Sequence, residues 1–365
     1  MDRSSSSIQG KKLIRLYMDG CFDVTHYGHA NATRQAKQHG DCLIVGVHPD
    51  AEIATNKGPP VFTQDERYRI VRAFRWVDEV LEDAPFNTPI QLLKELDIDF
   101  HVHGDDISIS AETGLDSNAA AKSAGLYMEV KRTKSISTTD LVGRILLVTK
   151  AHHVTVDDDM NTTSGQYVLE EGRCVNPNFL ATSKMIADFA PRNVPKPGDR
   201  IVYTAGAFDL MHAGHVDFLE AAAGQGDFLI VGIHSDAVVN RCKGTNYPIM
   251  NLHERVLATL SFKYVDEVII GAPYILSEAI MDELKIDIVV HGRTDTPMDL
   301  DGQDPYQAAK SRGCYKIVDS GSSLTTDRII QRIMMHCLEY KERNRKSEEK
   351  FKRQEELKAK MMKDN

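Results

Sequence analysis

The strongest constraint on the fold is an internal duplication. The segment GCFDVTHYGHANATRQAKQHGDCLIVGVHPD recurs 186 positions later as GAFDLMHAGHVDFLEAAAGQGDFLIVGIHSD, so that His26 matches His212 and Lys57 matches Lys243. This period is far longer than the repeat unit of a solenoid, which is roughly 20 to 50 residues. The chain of 365 residues is also long enough for about two domains. The sequence therefore predicts two tandem domains of the same fold.

Composition shifts along the chain set the predicted boundaries. We predict a polar lead-in at 1–11, a first domain at 12–149, a linker at 150–198, a second domain at 199–338 and a charged tail at 339–365. The linker is rich in Pro, Gly and polar residues, with one helical piece at 183–189. The tail has too few apolar residues for a membrane-binding helix and is interpreted as a solvated helix or a frayed end.

Each copy alternates strand and helix patterns. In the first copy we predict strands near 13–18, 42–47, 77–81, 100–103 and 126–130. The continuous apolar runs LIVGV and LIVGI are typical of parallel strands that are buried on both faces. Thr63 with Glu66, and Asn251 with Glu254, predict capping boxes at equivalent helix starts. The fold class is therefore α/β, with two tandem Rossmann-like, doubly wound parallel sheets.

Composition excludes several classes of protein. Hydrophobic residues make up 42% of the chain and charged residues 27%, as in globular proteins, and no apolar run approaches the roughly 18 residues of a membrane span. The start of the chain has no apolar core, so a secretory signal peptide is not expected. The net charge of −9 argues against nucleic acid as a partner. Six scattered cysteines without a CxxC pair favour the reducing cytoplasm.

A histidine motif follows the first strand of each copy. His26 and His29 lie three residues apart at a predicted helix start, where they share a face with backbone N–H groups that attract phosphate. Gly28 between them lets a ligand approach the backbone. One such pair could equally be structural, but its recurrence as His212 and His215 favours a function. Zinc is not expected, because the Glu of an HExxH motif is missing.

Several paired motifs together resemble one enzyme family. They are the GCFDVTHYGH and GAFDLMHAGH turns, the Lys-Gly of NKG and CKG, the Glu-Arg of QDERYR and LHERVL, the VDEV strands, HGDD against HGRT, and RTKSISTT against DSGSSLTT. This set resembles the cytidylyltransferase branch of the HxGH nucleotidyltransferase superfamily. The resemblance implies transfer of CMP from CTP, with Mg²⁺, to a phosphorylated alcohol. The tandem arrangement implies phosphoethanolamine, with CDP-ethanolamine and pyrophosphate as products in phosphatidylethanolamine synthesis.

Such a reaction needs positioning and charge stabilisation more than a base. A phosphomonoester has a second pKa of about 6, so its oxygen is already anionic at neutral pH. His26 and His29 can donate hydrogen bonds to the reacting phosphate, while Lys57 either places a charge between the substrates or is a mobile surface lysine. Arg132 can hold the outer phosphates. Ser137 and Thr138, also catalytic candidates, could instead serve as a helix cap.

Further residues of the first copy are candidates for binding nucleotide or substrate. They are Cys21, Phe22, Asp23, Asp50, His103, Gly104, Asp105, Asp106, Thr133 and Thr139. For Asp105 and Asp106 two roles stay open, since this loop could contact cytidine or pair with the substrate ammonium.

The second copy keeps part of the motif set. Its candidate nucleotide-binding residues are Ala207, Phe208, His212, Ala213, Gly214, His215, Lys243, His291, Gly292, Arg293, Thr294, Ser322, Ser323, Leu324, Thr325 and Thr326. Asp319 replaces Arg132, and Leu324 replaces Ser137. We therefore expect nucleotide binding with little turnover, unless Arg293 recovers phosphate affinity from another direction.

Three hypotheses remain open at this stage. The first is the ethanolamine-phosphate reaction, and the second is the same chemistry on phosphocholine or another phospho-alcohol, or with ATP. The third is a nucleotide-binding regulator that has lost catalysis, against which the retention of Arg132 and Ser137 counts. In each case the duplication predicts that the two copies form an internal pseudo-dimer.

Overall fold

The structure, a computed structural model, describes residues 12–105, 116–133, 136–146, 177–191, 193–244, 247–294, 298, 302–346 and 349. Its contacts divide the chain into two compact units. The first unit comprises Met1–Leu146 together with Leu324–Asn365, and the second comprises Leu147–Ser323. No helix among the described residues is both long and apolar enough to cross a membrane.

The first unit contains a five-stranded parallel sheet in the order β3-β2-β1-β4-β5. Its strands are β1 (Arg15–Gly20), β2 (Cys42–Val47), β3 (Glu79–Leu81), β4 (Phe100–Gly104) and β5 (Tyr127–Val130). Its helices from the first copy are α1 (Tyr27–Lys37), α2 (Asp50–Lys57), α3 (Gln64–Arg72), α4 (Ile90–Glu95), α5 (Ala119–Ser123) and α6 (Thr138–Leu146). Leu16 of the central β1 pairs with Leu43 and Phe100, and both leucines are fully buried. The central strands are thus covered on both faces, as their apolar sequences require.

The second unit repeats this topology with the order β10-β9-β6-β7-β8. Helix α7 (Pro177–Phe189) precedes β6 (Ile201–Gly206), β7 (Phe228–Ile233), β8 (Glu267–Ile270), β9 (Ile288–His291) and β10 (Tyr315–Ile317). The connecting helices are α8 (Ala213–Ala223), α9 (Asp236–Lys243), α10 (Leu252–Leu260), α11 (Glu278–Glu283) and α12 (Gln307–Ser311). Because β6 to β10 take the positions of β1 to β5, the predicted pair of doubly wound sheets is confirmed.

Both predicted capping boxes are present. Thr63 Oγ1 accepts the Glu66 N–H at 3.4 Å, while Glu66 accepts the Thr63 N–H at 2.9 Å. Asn251 and Glu254 form the same reciprocal pair at the start of α10. The helical piece predicted at 183–189 belongs to the longer α7, which begins at Pro177, a residue well suited to the first helical position.

The C-terminal part of the chain departs from expectation. Helix α13 (Thr326–Met335) contacts α6, and residues from Leu324 onward group with the first unit. The unit boundary therefore does not coincide with the predicted domain end at 338. Residues 339–346 are helical and mostly exposed, as expected for a solvated helix, but Tyr340 is 3% exposed and donates to the Pro60 carbonyl. The many charged residues suggested a solvated tail. The aliphatic part of an arginine side chain can, however, cover apolar surface while its guanidinium binds a polar partner.

Candidate active site

The turn after β1 has an unusual backbone. Phe22 and Val24 have φ of 51° and 42°, and the equivalent Phe208 and Leu210 both have 47°. A positive φ is costly for such residues, above all for the β-branched Val24, and persists only where neighbouring structure holds it. Here the Asp23 carboxylate accepts backbone N–H groups from Val61 and Phe62 at 2.9 to 3.1 Å. Both copies share this strained backbone conformation, and no simple sequence pattern predicts it.

The capping geometry of α1 fixes the protonation pattern of both histidines. His26 is the N-cap residue, and its Nδ1 accepts the Gly28 N–H at 3.1 Å. His29 Nδ1 accepts the His26 N–H at 3.4 Å, and the ring centres lie 4.0 Å apart. Because Nδ1 is an acceptor in both rings, each neutral imidazole carries its proton on Nε2. The pair therefore presents two N–H donors.

The same histidines are held neutral. Burial, with His29 and Arg132 nearby, keeps the pKa of His26 well below its ordinary value. Burial lowers the pKa of His29 to about 4, aided by Lys57 and Arg132 and opposed by Asp23. Lys57 and Arg132 are distant in sequence, yet both influence this pair electrostatically. Both cations therefore lie close enough to lower the pKa of at least one of the two histidines.

The start of α6 joins the same edge of the sheet. Ser137 Oγ accepts the Asp140 N–H at 3.0 Å, so this hydroxyl does cap the helix. Thr138 Oγ1 donates to the Asp23 carbonyl at 2.8 Å, which ties α6 to the histidine turn. Gly28 lies in the crowded space between, where an added Cβ would lie 2.8 Å from His26 Nδ1. A side chain at this position would displace the histidine.

The remaining first-copy candidates are placed by contacts with both backbone and side-chain groups. The contacts are Asp105 Oδ1 with the Arg132 N–H, Thr133 Oγ1 with Asn31 Nδ2, His103 Nδ1 with the Gly104 carbonyl, and Asp50 Oδ1 with Arg67 Nη2. Lys57 Nζ lies 5.8 Å from the ring centre of Phe86. Thr139 offers its carbonyl to Asn344 at 3.2 Å. Asp106 lies outside the described residues.

Sequence reasoning missed the buried Arg67. Its guanidinium donates to the Cys21 carbonyl at 2.8 Å and to the His48 carbonyl at 2.6 Å, and it pairs with Asp50 at 2.8 Å. It thereby joins the loops that follow β1 and β2. Arg255 occupies the equivalent place in the second copy, and both side chains are fully buried. The signal was the repeated Glu-Arg pair, of which only the Glu was interpreted.

A second missed cluster lies near the carboxyl end of β1. The Asp19 carboxylate faces His101 Nε2 at 3.4 Å and accepts a hydrogen bond from Thr88. Although burial opposes it, His101 and neighbouring histidines hold the pKa of Asp19 well below its usual range. Ala205 replaces Asp19 in the second copy. The first copy therefore keeps a negative charge at the carboxyl end of its central strand.

The second histidine pair is similar in position but differently bonded. The rings of His212 and His215 lie 3.9 Å apart at the start of α8, which includes Ala213 and Gly214. Burial and the charge of Lys243 lower the pKa of His215 to about 3. Among the described residues, neither ring nitrogen of His212 has a hydrogen-bond partner. This pair therefore lacks the capping bonds that orient His26 and His29.

The charged residues of the second copy differ from those of the first where the outer phosphates are expected to bind. Arg293 Nη2 pairs with Asp319 Oδ2 at 3.0 Å, so the residue in the slot of Arg132 compensates the added arginine. The Ala207 carbonyl binds Arg255, and His291 Nδ1 contacts the Gly292 carbonyl at 2.9 Å. Five other candidates are divided between the two units. Thr294 lies in a bend of the second unit and Ser322 in an irregular segment of it, whereas Leu324, Thr325 and Thr326 begin the segment that groups with the first unit. Ser323 closes the second unit.

Comparison with known proteins gives one consistent result. A model of the cytidylyltransferase-like family matches residues 17–144 and 203–340. The ethanolamine-phosphate cytidylyltransferase of Mus musculus is 47% identical across 95% of this chain and 93% of its own length. That of Dictyostelium discoideum is 47% identical across 94% and 97%. The choline-phosphate cytidylyltransferase A of Homo sapiens is 39% identical, but across only 40% of each chain.

Proposed function

The chain belongs to the cytidylyltransferase-like family, and from this premise we propose that it transfers CMP from CTP to phosphoethanolamine, giving CDP-ethanolamine and pyrophosphate. The observation that carries the proposal is the neutral His26 and His29 pair, with two Nε2–H donors and the charges of Lys57 and Arg132 nearby. Relatives that act on ethanolamine phosphate match over both copies, which supports this substrate over phosphocholine.

The chemistry follows from these groups. An anionic oxygen of phosphoethanolamine attacks the α-phosphorus of CTP, and the bond to the bridging oxygen of the β-phosphate breaks as pyrophosphate leaves. No proton has to be removed from the nucleophile, so histidines that stay neutral suit the reaction. Their N–H groups stabilise charge on the phosphoryl oxygens, while Lys57 and Arg132 offset the negative charge of the two substrates.

Magnesium is part of the proposal as a companion of CTP. The donors of the first site are N–H groups and cations, which suit phosphate oxygens, whereas Mg²⁺ takes oxygen ligands and usually binds through substrate phosphates with one or two carboxylates. Asp105 supplies a carboxylate at this edge of the sheet. The bound ion would neutralise charge on the departing pyrophosphate.

We also propose an arrangement of the two copies and a location in the cell. The duplication supports an internal pseudo-dimer of the two copies, since duplicated domains commonly keep a two-fold interface. The scattered cysteines support a cytoplasmic location.

The substrate assignment is tested by measuring pyrophosphate release with each pairing of CTP or ATP with phosphoethanolamine, phosphocholine or glycerol phosphate. We expect CTP with phosphoethanolamine to give the highest kcat/KM. A preference for another phospho-alcohol or for ATP would keep the reaction class and reject the substrate. Binding of CTP without any turnover would favour a nucleotide-binding regulator.

The second copy is expected to bind nucleotide with little benefit from the outer phosphates, because Asp319 stands in the slot of Arg132 and pairs with Arg293. Calorimetry of the full chain should resolve two CTP sites. Replacing CTP by CMP as the ligand should weaken binding at the first site more than at the second. Lys243→Ala should remove the second site alone, and a single CTP site in the unmodified chain would contradict this expectation.

A further inference from the structure

Three consecutive carbonyls beside Lys57 accept hydrogen bonds from one distant segment of the chain. They belong to residues 58–62, here called the lysine loop, which begins where α2 ends. The three bonds are Arg343 Nη1 to the Pro59 carbonyl at 2.8 Å, Tyr340 Oη to the Pro60 carbonyl at 3.1 Å, and Arg332 Nη1 to the Val61 carbonyl at 2.7 Å. Each donor lies within the part of the chain that groups with the first unit.

Both arginines also form ion pairs with the first copy. Arg332 makes a two-point contact with Glu66, at 2.8 and 3.1 Å. Arg343 Nη1 lies 2.7 Å from Asp23 Oδ2, and the two side chains are only 12% and 1% exposed. Charge-assisted bonds of this kind are stronger than neutral ones and fix direction. The Asp23 carboxylate therefore joins the histidine turn, the lysine loop and Arg343.

The lysine loop depends on these outside contacts more than an ordinary loop does. Pro59 and Pro60 have no backbone N–H, so neither can donate a bond that would anchor the loop. Gly58 adopts a φ of 92°, a conformation that glycine permits without favouring. The loop, and with it the end of α2 that carries Lys57, is consequently held by the side chains that bind its carbonyls together with the Asp23 carboxylate that accepts the Val61 and Phe62 N–H groups.

The second copy shows which part of this arrangement is general. Asp209 accepts the backbone N–H groups of Ile249 and Met250 at 2.6 and 2.9 Å, just as Asp23 accepts those of Val61 and Phe62. The bond from the aspartate to the loop is thus common to both copies. The three C-terminal donors are an addition that acts on the first copy.

We propose that Arg343, supported by Tyr340 and Arg332, is a positioning residue for the first active site. It acts through Asp23 and the lysine loop and sets the place of the Lys57 amine relative to His26 and His29, without touching substrate itself. The C-terminal segment of the chain thereby completes the machinery of the N-terminal copy. This inference rests on the proposed function, because it assigns a role in the same transfer reaction.

The test compares Arg343→Ala with Arg345→Ala in the full chain. Arg345 lies on the same segment but pairs with Glu342 and Glu349 and is 56% exposed, so it controls for loss of an arginine. Displacement of a reacting group by about 1 Å can cost about 100-fold in rate. We expect kcat to fall by about 10- to 100-fold for Arg343→Ala, with KM for either substrate changed by less than about threefold, and Arg345→Ala to resemble the unmodified chain.

Two conservative variants separate positioning from simple stability. Arg343→Lys keeps a charge near Asp23 and should recover most of kcat, while Tyr340→Phe keeps the buried ring and should lose kcat by a few-fold at an unchanged melting temperature. An Arg343→Ala protein with the kcat of the Arg345→Ala control would overturn the proposal. The proposal would also be overturned if Arg343→Lys lost as much kcat as Arg343→Ala and if these losses of kcat paralleled losses in melting temperature.

The comparison remains informative if the substrate assignment fails. Each effect is a ratio to the unmodified chain, measured with whichever phospho-alcohol that chain uses. A different preferred substrate would reject the proposed function and leave the role of Arg343 to be decided by the same variants.

Discussion

Replacing His26 by alanine should reduce the rate of pyrophosphate release by about 100- to 1,000-fold, which is the usual cost of removing one donor to a transition state. His212→Ala should reduce it far less. The first copy has histidines oriented by capping bonds and retains Arg132, whereas His212 lacks such bonds among the described residues and Asp319 compensates the nearby arginine.

A second substitution separates the two roles of His26. Asparagine is a good N-cap residue, so His26→Asn should preserve the start of α1 while removing the imidazole Nε2–H. We expect its melting temperature to lie near that of the unmodified chain and its rate to remain low. If His212→Ala were the inactive variant instead, the assignment of the main catalytic copy would be reversed.

Replacing Arg67 by methionine should destabilise the first unit by about 3 to 5 kcal/mol, because several carbonyls lose their donor and each unsatisfied buried group costs about 1 to 3 kcal/mol. Methionine keeps most of the volume of the arginine side chain, so the loss of stability comes from the polar contacts of the guanidinium. The Cys21, His48 and Phe62 carbonyls would lose their donor, and Asp50 would lose its ion pair. Denaturant unfolding, followed by circular dichroism, measures the change.

Arg255→Met is the matched control for this variant. Arg255 makes the same kind of contacts, including 2.6 Å to Asp236, and is equally buried. Its loss should destabilise the second unit by a similar amount while reducing turnover much less than Arg67→Met does. A stability change below about 1 kcal/mol for Arg67→Met would mean that water replaces the guanidinium in these bonds.

The parts of the fold that depend on local pattern could be predicted from the sequence. The apolar runs at 42–47 and 228–233 predicted β2 and β7, which lie next to the central strands, and the pairs Thr63 with Glu66 and Asn251 with Glu254 predicted the helix starts. Each of these signals lies within a few residues of its structural consequence. The duplication then predicted the second sheet from the first.

The parts that depend on distant contacts could not be predicted in this way. Arg343 looks like one more charged residue in a charged tail, and nothing nearby in the sequence indicates that its partner is Asp23, 320 residues away. Positive φ at Phe22 and Val24 is equally hidden, because those residues ordinarily avoid it. From the sequence, Arg293 could have recovered phosphate affinity in the second copy, and only the structure reveals its bond to Asp319.

The contacts of the lysine loop have a consequence for how the protein is made. Arg332 and Tyr340 meet partners 271 and 280 positions earlier in the chain. During synthesis domains generally fold from the N-terminus onward, so the first sheet can form while the ribosome is still translating the second copy. The Pro59 and Pro60 carbonyls then remain without their side-chain donors until residue 343 has been translated. A chain that ended before residue 332 would therefore lack all three side-chain donors to the carbonyls of the lysine loop.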